Sequence, residues 1–237
     1  MMDNILQYKK GNCNSGVGVL DKIVLILSYL AEEGPSEFSE IVSKTGISRS
    51  TAHRLLMALE THHLVVRTQE GYTLGSRIVG WGESSKFRLL VEASKPALVS
   101  LRDLTGESTQ LYVKEGDKRV CLVSIEPAMG LKNTVPVGAV FPLEVGSAGK
   151  VISAWLGLGN NPEQDKLIRQ QGWAESIAER EQGVASVSAP VLDPKGNLIA
   201  AVSVSGPISR LGLEPGKRLS QLVVAAAREI ELAIRKY

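Results

Sequence analysis

Apolar positions in this 237-residue chain follow helical spacing in the first third and shift toward alternation in the second half. Leu20, Ile23, Val24, Leu27 and Leu30 share one face of a helix predicted over residues 19–32, with Asp21 in its first turn and Gly34-Pro35 ending it. A short second helix is expected over residues 39–44, with Ser39 as its N-cap, and Gly46 breaks the chain after it. Ser48 then caps a third helix reaching about residue 60, with Ala52, Leu55, Leu56 and Leu59 turned inward. Residues 63–67 and 72–74 flank Gln69-Glu70-Gly71 and read as a two-stranded hairpin.

Residues 76–105 read as mainly helical, chiefly over 86–104, with Gly80 and Gly82 marking a bend near the front. After Gly106 short strands are expected over residues 109–114, 120–125 and 134–137, interrupted by helices over 149–156 and Pro162–Gln171. Two longer strands, over 185–192 and 198–205, are joined by Asp193-Pro194-Lys195-Gly196-Asn197, which has tight-turn chemistry. A final helix covers about 216–235. The pattern predicts an α+β chain with the helices of its larger domain on one side of a sheet. It divides into a polar N-terminal tail (1–16), a helix-hairpin domain (17–75), a linking helix region (76–90) and a larger domain (91–237).

Composition narrows the function without naming it. Hydrophobic residues make up 43% and charged residues 22%, a globular balance, and the net charge of +2 selects no partner. The first 75 positions hold seven Lys and Arg against eight Asp and Glu, so a case for nucleic acid rests on where the cations sit. Cys13 and Cys121 lack the paired spacing of a zinc or redox site and read as reduced thiols. No stretch has the length of a membrane span or the form of a signal peptide, so a cytoplasmic chain is expected.

Helix, glycine turn, helix and hairpin is the order of a winged helix-turn-helix. Arg49, Ser50, His53 and Arg54 lie opposite the apolar stripe of the third helix, where a groove-reading helix needs its donors. Ser48, Ser50 and Thr51 are short enough to let backbone N–H groups approach phosphates, and Arg67 on the hairpin can reach a neighbouring phosphate or the minor groove. The same spacing fits an amphipathic helix with a merely solvated polar face, or a winged helix that binds protein; the Gly46 turn and the hairpin favour duplex DNA. His53, His62 and His63 have no metal-ligand spacing, and no metal or other cofactor is expected.

In the larger domain, alternation places Ser186 and Ser188 on one strand face and Ser203 and Ser205 on one face of the next, so pairing through the turn gathers four hydroxyls on one side. Gly146-Ser147-Ala148-Gly149 leads into a helix whose free N–H groups suit a carboxylate. Small residues here also serve simply to admit an overlying helix, and Trp155 and Trp173 suit either a pocket wall or the core. Catalysis is not expected: all three histidines lie between His53 and His63, and the remaining nucleophile-base candidate is Ser147 with Lys150.

Gly18-Val19-Leu20-Asp21-Lys22, Ser50-Thr51-Ala52-His53-Arg54-Leu55-Leu56 and Ser203-Val204-Ser205-Gly206-Pro207 resemble the IclR family of bacterial regulators, a likeness running from about Gly16 to the C-terminus. Arg102-Asp103-Leu104-Thr105-Gly106-Glu107-Ser108, Gln171-Gly172-Trp173-Ala174-Glu175-Ser176-Ile177 and Gly183-Val184-Ala185-Ser186-Val187-Ser188-Ala189-Pro190 are most similar to its actinobacterial NdgR/LtbR-type branch. The resemblance implies a winged helix, a linking helix and a GAF-like effector domain, assembled as homodimers, often paired into tetramers, on palindromic operators. It implies an effector site at Phe141, Ser147, Ala148, Ser186, Ser203 and Ser205, to which the strand alternation adds Ser188. The branch implies control of amino-acid biosynthesis genes, leucine biosynthesis among them. Ser186 stands where a relative has Cys, and Ser176-Ile177 where relatives place an acid, so ligand identity does not transfer with the site.

Overall fold

The computed structural model describes residues 15–85 and 87–235. Cys13, nearly all of the expected tail over residues 1–16, and Lys86 at the expected start of the long helix lie outside them. The chain forms two compact units, Met1–Ser85 and Lys86–Tyr237.

The first unit runs α1 (Gly18–Glu33), α2 (Phe38–Thr45), α3 (Arg49–Thr61), β1 (Val65–Thr68), β2 (Gly71–Leu74) and α4 (Ser76–Glu83). Its core joins Ile26 and Leu30 of α1 to Ile41, Ile47, Leu56, Leu59 and Val65. The buried face of α1 is rotated from the expected one: Ile26, Tyr29 and Leu30 are buried, while Leu20 and Val24 stay exposed. Glu37, not Ser39, caps α2; Glu40 accepts the Glu37 N–H at 2.9 Å, and the Glu37 side chain bonds the Glu40 amide in return. Gly80 and Gly82 lie inside α4 rather than breaking it.

The hairpin is tied to the connection between α1 and α2. Ser36 N–H donates to the Tyr72 carbonyl at 3.0 Å, and Tyr72 N–H returns a bond to the Ser36 carbonyl at 2.8 Å. Gly71 sits at φ +117°, where a Cβ would run into the Ser36 backbone, so glycine is what permits this approach.

The second unit runs α5 (Arg88–Thr105), β3 (Ser108–Glu115), β4 (Lys118–Ile125), β5 (Val140–Pro142), α6 (Ser147–Leu156), α7 (Pro162–Gln171), β6 (Ala174–Ile177), β7 (Val184–Leu192), β8 (Leu198–Pro207), α8 (Ile208–Leu211) and α9 (Pro215–Ile234). Its six strands form an antiparallel sheet in the order β5-β4-β3-β8-β7-β6.

Helices cover both faces of this sheet, not one. Leu98 and Leu101 of α5 and Val223 and Ile230 of α9 pack against Leu111, Val187, Val202 and Val204. Val151 and Ile152 of α6 and Ile168 of α7 pack with Tyr112, Cys121 and Ala201 in a separate cluster. The cause lies in the central strands: β8 is buried at almost every position, so each face needs cover. The α+β class stands. The strand expected over 134–137 is a loop containing Pro136, and the edge strand forms later, at β5. Strand β6 was not anticipated; it pairs with β7 from Ala174↔Ser188 to Ile177↔Ala185.

Candidate functional site

In the first unit the polar side of α3 lies open. Ser48, Arg49, Ser50, His53, Arg54 and Arg67 are exposed and Thr51 is half-buried, while Ala52, Leu55, Leu56 and Leu59 are buried on the opposite side. Ser48 occupies the N-cap position without capping through its side chain; its hydroxyl instead donates to Thr51 Oγ1 at 2.9 Å. The N-cap side chain therefore leaves the first-turn amides of α3 uncapped, as an approaching phosphate requires.

Among the described residues no carboxylate forms an ion pair with Arg49, Arg54 or Arg67. Aromatic rings hold two of them instead. The Arg49 guanidinium sits 5.2 Å from the Phe38 ring centre, and that of Arg67 5.5 Å from Tyr72. His53 packs T-shaped against Phe38 with ring centres 6.1 Å apart, so one ring at the start of α2 orients two side chains of α3. Sequence reading missed Phe38. Its signal was a lone aromatic at the head of a short helix whose buried residues are Ile41 and Thr45.

In the second unit a small cleft opens between α6 and the sheet. The register gathers the expected hydroxyls: Ser186 pairs with Ser205 and Ser188 with Ser203, while Ser176 continues one row across β6 and Gln110 the other across β3. The Ser147 hydroxyl lies 2.7 Å from those of both Ser186 and Ser188. Ser147, Ala148, Ser186, Ser203 and Ser205 line the cleft. Ser188 is fully buried beneath Ser147, and Phe141 stands behind the lining under two guanidinium groups.

Those guanidinium groups, Arg119 and Arg180, are the main features that sequence reading missed. Arg119 is 2% exposed; its Nη1 donates to the Pro142 carbonyl and its Nε has no partner. It lies 5.5 Å from the Tyr112 ring centre and 5.4 Å from that of Phe141. Burial lowers its pKa to about 10, with the neighbouring Arg180 charge adding to the drop and Tyr112 and Glu144 opposing it. Arg119 remains protonated at neutral pH.

Arg180 stacks 4.8 Å from the centre of Phe141 and donates to Asn133 Oδ1 at 2.9 Å. Asn133 Nδ2 then donates to Ser205 at 2.8 Å, and Ser205 donates to Gln110 Oε1 at 3.0 Å. A chain of donors thus runs from the cleft mouth into the sheet.

The start of α6 differs from expectation. The helix begins at Ser147, and the Gly146 N–H already donates to Glu179 Oε2 at 3.1 Å. Lys150 binds the same Glu179 carboxylate and the Glu175 carbonyl. Its ammonium is engaged there, and it offers no base to Ser147. Trp155 and Trp173 pack against the two cores, not the cleft. Cys121 is buried, with its thiol pushed up to about 12 by desolvation and its Sγ donating to the Val123 carbonyl, so it is no reactive group.

Comparison with known proteins joins the two sites. A model of the IclR helix-turn-helix domain matches residues 19–69. A model of the bacterial transcriptional regulator IclR C-terminal region matches residues 86–161 and 163–232. The glycerol operon regulatory protein of Streptomyces griseus is 30% identical, over 87% of this chain and 91% of its own length. The crystal structure of Thermotoga maritima IclR superposes with a TM-score of 0.66 at 25% identity, covering 92% of this chain and 98% of that one. An IclR homolog from Microbacterium hydrocarbonoxydans, complexed with 4-hydroxybenzoate, superposes with the same score of 0.66 at 20% identity, over 92% of this chain and 100% of its own. Among the described residues no helix is long and apolar enough to cross a membrane.

Proposed function

The chain belongs to the IclR family of bacterial transcriptional regulators, and from that premise we propose how this DNA-binding regulator, which is not an enzyme, reads its operator and its signal. Helix α3 enters the major groove of a palindromic operator, where Arg49, Ser50, His53 and Arg54 meet base edges and the phosphates along the groove, its first-turn residues Ser48 and Thr51 meet the phosphate backbone, and Arg67 on the hairpin contacts a flanking phosphate. The observation that carries this reading is the open cationic side of α3, free of ion pairs to carboxylates among the described residues.

The palindrome follows from a homodimer, or a dimer of dimers, in the cytoplasm. Exposed Val19, Leu20 and Val24 on α1 and Val79 and Trp81 on α4 support self-association, since a second copy would take them out of water. The cleft lined by Ser147, Ala148, Ser186, Ser203 and Ser205, backed by Phe141 and Ser188, takes a small carboxylate or amino acid as effector. The Microbacterium homolog with bound 4-hydroxybenzoate supports an effector of that size. The NdgR/LtbR-type stretches support control of amino-acid biosynthesis genes, including those for leucine.

Fluorescence anisotropy on the chain's own upstream DNA tests the reading. Arg49→Ala and Arg54→Ala each weaken binding and reduce the slope of log affinity against log salt by about 1. Unchanged slopes in both variants would remove α3 from the interface. Mapping bound genomic fragments with and without candidate amino acids and hydroxy acids tests the target genes.

A further inference from the structure

Asp165 on α7 carries a carboxylate to which the protein brings no donor. It is 9% exposed, and among the described residues its side chain makes no hydrogen bond and no ion pair. Leaving such a group in the interior is costly. The first turn of α7 favours an acid, but its amides are spent. Gln164 N–H donates to Asn161 Oδ1 at 3.1 Å, and Asp165 N–H to the Asn161 carbonyl at 3.0 Å. Gly159 lets the side chain sit this deep, since a Cβ there would run into the carboxylate.

The carboxylate borders a cavity of about 510 Å³ that shares no lining residue with the cleft described above. Its walls come from the β3–β4 turn, α6, the α6–α7 connection and α7. Leu143, Leu158 and Ile168 give it an apolar side, while the exposed Asp117 and Glu144 add two more carboxylates. Two lysines line it as well, and neither offsets Asp165. Lys114 Nζ donates to the Gly116 carbonyl at 2.5 Å, and Lys150 is held by Glu179.

We propose that this cavity is a second small-molecule site, which takes an organic ammonium on a short alkyl stem with its charged end on Asp165. The proposal does not depend on the effector reading of the cleft. An ammonium offers three donors and no acceptor. Asp165 takes one in a charge-assisted bond, and the Ser153 hydroxyl and the amide oxygens of Asn160 and Gln164 are acceptors in the same lining. The stem covers the leucines and Ile168. A divalent cation is poorly served, because it needs several oxygens converging on one point. Among the described residues no three acids, histidines or cysteines are grouped to hold one. An anion would face three carboxylates. The volume lies within the range of small-molecule sites.

Calorimetric titration of the full chain at fixed ionic strength tests this with n-butylamine, 1,4-diaminobutane and spermidine. Matched probes are 1,4-butanediol, butanoate, and magnesium and calcium chloride. At least one amine binds saturably at one per chain, and the diol and butanoate do not bind. Asp165→Asn, with its fold checked by circular dichroism, weakens that amine at least about tenfold. Gly159→Ala keeps every charge but displaces the carboxylate, and weakens it too, which carries the test should the first variant misfold. Glu163→Gln removes a neighbouring exposed charge of α7 that does not line the cavity, and leaves binding unchanged. Saturable binding of no amine, diol binding as tight as amine binding, or amine binding unmoved in the Asp165 and Gly159 variants overturns the proposal. So does an equal loss in Glu163→Gln, which would mark a diffuse field, or tighter binding of either metal ion lost in Asp165→Asn.

Discussion

At the scale of single residues, Phe38 decides how the proposed reading surface is presented. Arg49 carries a long, flexible stem, and ordering it on DNA costs side-chain entropy unless something holds it beforehand. The Phe38 ring under its guanidinium at 5.2 Å, in T-shaped contact with His53 as well, supplies that preorganisation. Phe38→Leu keeps apolar bulk at the start of α2 while removing the π-face, and operator binding should weaken about two- to fivefold. The salt slope should stay unchanged, because no charge has been removed. Anisotropy titrations across a salt series separate this from Arg49→Ala, which changes both. Arg49, His53 and Arg54 were legible in the sequence because helical period alone puts them opposite Leu55 and Leu56. Phe38 was not, since it reaches α3 through a tertiary contact that no local pattern encodes.

Among the elements, the β7–β8 hairpin shows how much a turn sequence declares. Asp193 Oδ1 accepts the N–H groups of Lys195 and Asn197, and Oδ2 accepts the Asn197 side-chain amide, all at 2.8 Å. These bonds, that of the Asn197 side chain foremost, hold the Asp193 carboxyl below its ordinary value. A depressed carboxylate pKa stabilises the fold above the unfolded value, and the contribution disappears as pH falls through the folded one. Asp193→Asn should therefore lower the melting temperature above about pH 4, and the gap from the parent chain should close in stronger acid. Thermal melts from neutral pH downward check this; a gap that persisted at low pH would mean that the ionised carboxylate plays no part.

Helix α7 was read at its true bounds for a similar reason: Asn161 accepts the Gln164 N–H, Pro162 opens the helix and Gly172 at φ +80° closes it. Strand β6 escaped because its four residues become a strand through pairing with β7, not by their own pattern. Arg119 escaped for a sharper reason. Leu111 pairs with Val123 but Tyr112 pairs with Cys121, so a bulge at Leu122 shifts the alternation of β4 by one residue. Counted without that bulge from Ser124, which pairs with Gln110, Arg119 falls on the opposite sheet face from the cleft.

For the whole molecule, two binding surfaces on separate units become a regulator only if their occupancies are thermodynamically linked. Under the proposed effector reading, long-range contacts within its own unit would carry the cleft's occupancy to distant segments. Asn133 joins the 126–139 connection to Arg180 and Ser205, and Leu131 on the same connection accepts from Arg210, which grips the buried Glu107 at 2.6 and 2.8 Å. A ligand that drew Arg180 toward itself would compete with the Asn133 bond, and so would favour one arrangement of that connection over another. Whatever states result, the ligand can shift operator affinity only by its preference between them, commonly about 5- to 150-fold. Reciprocity then requires saturating operator DNA to shift ligand affinity by the same factor. Anisotropy with and without ligand gives one ratio, and calorimetry with and without operator gives the other. Equal ratios close the cycle through the single cleft. Unequal ones require a further ligand site or a change of assembly on DNA, and chain concentration would then move the ligand affinity itself.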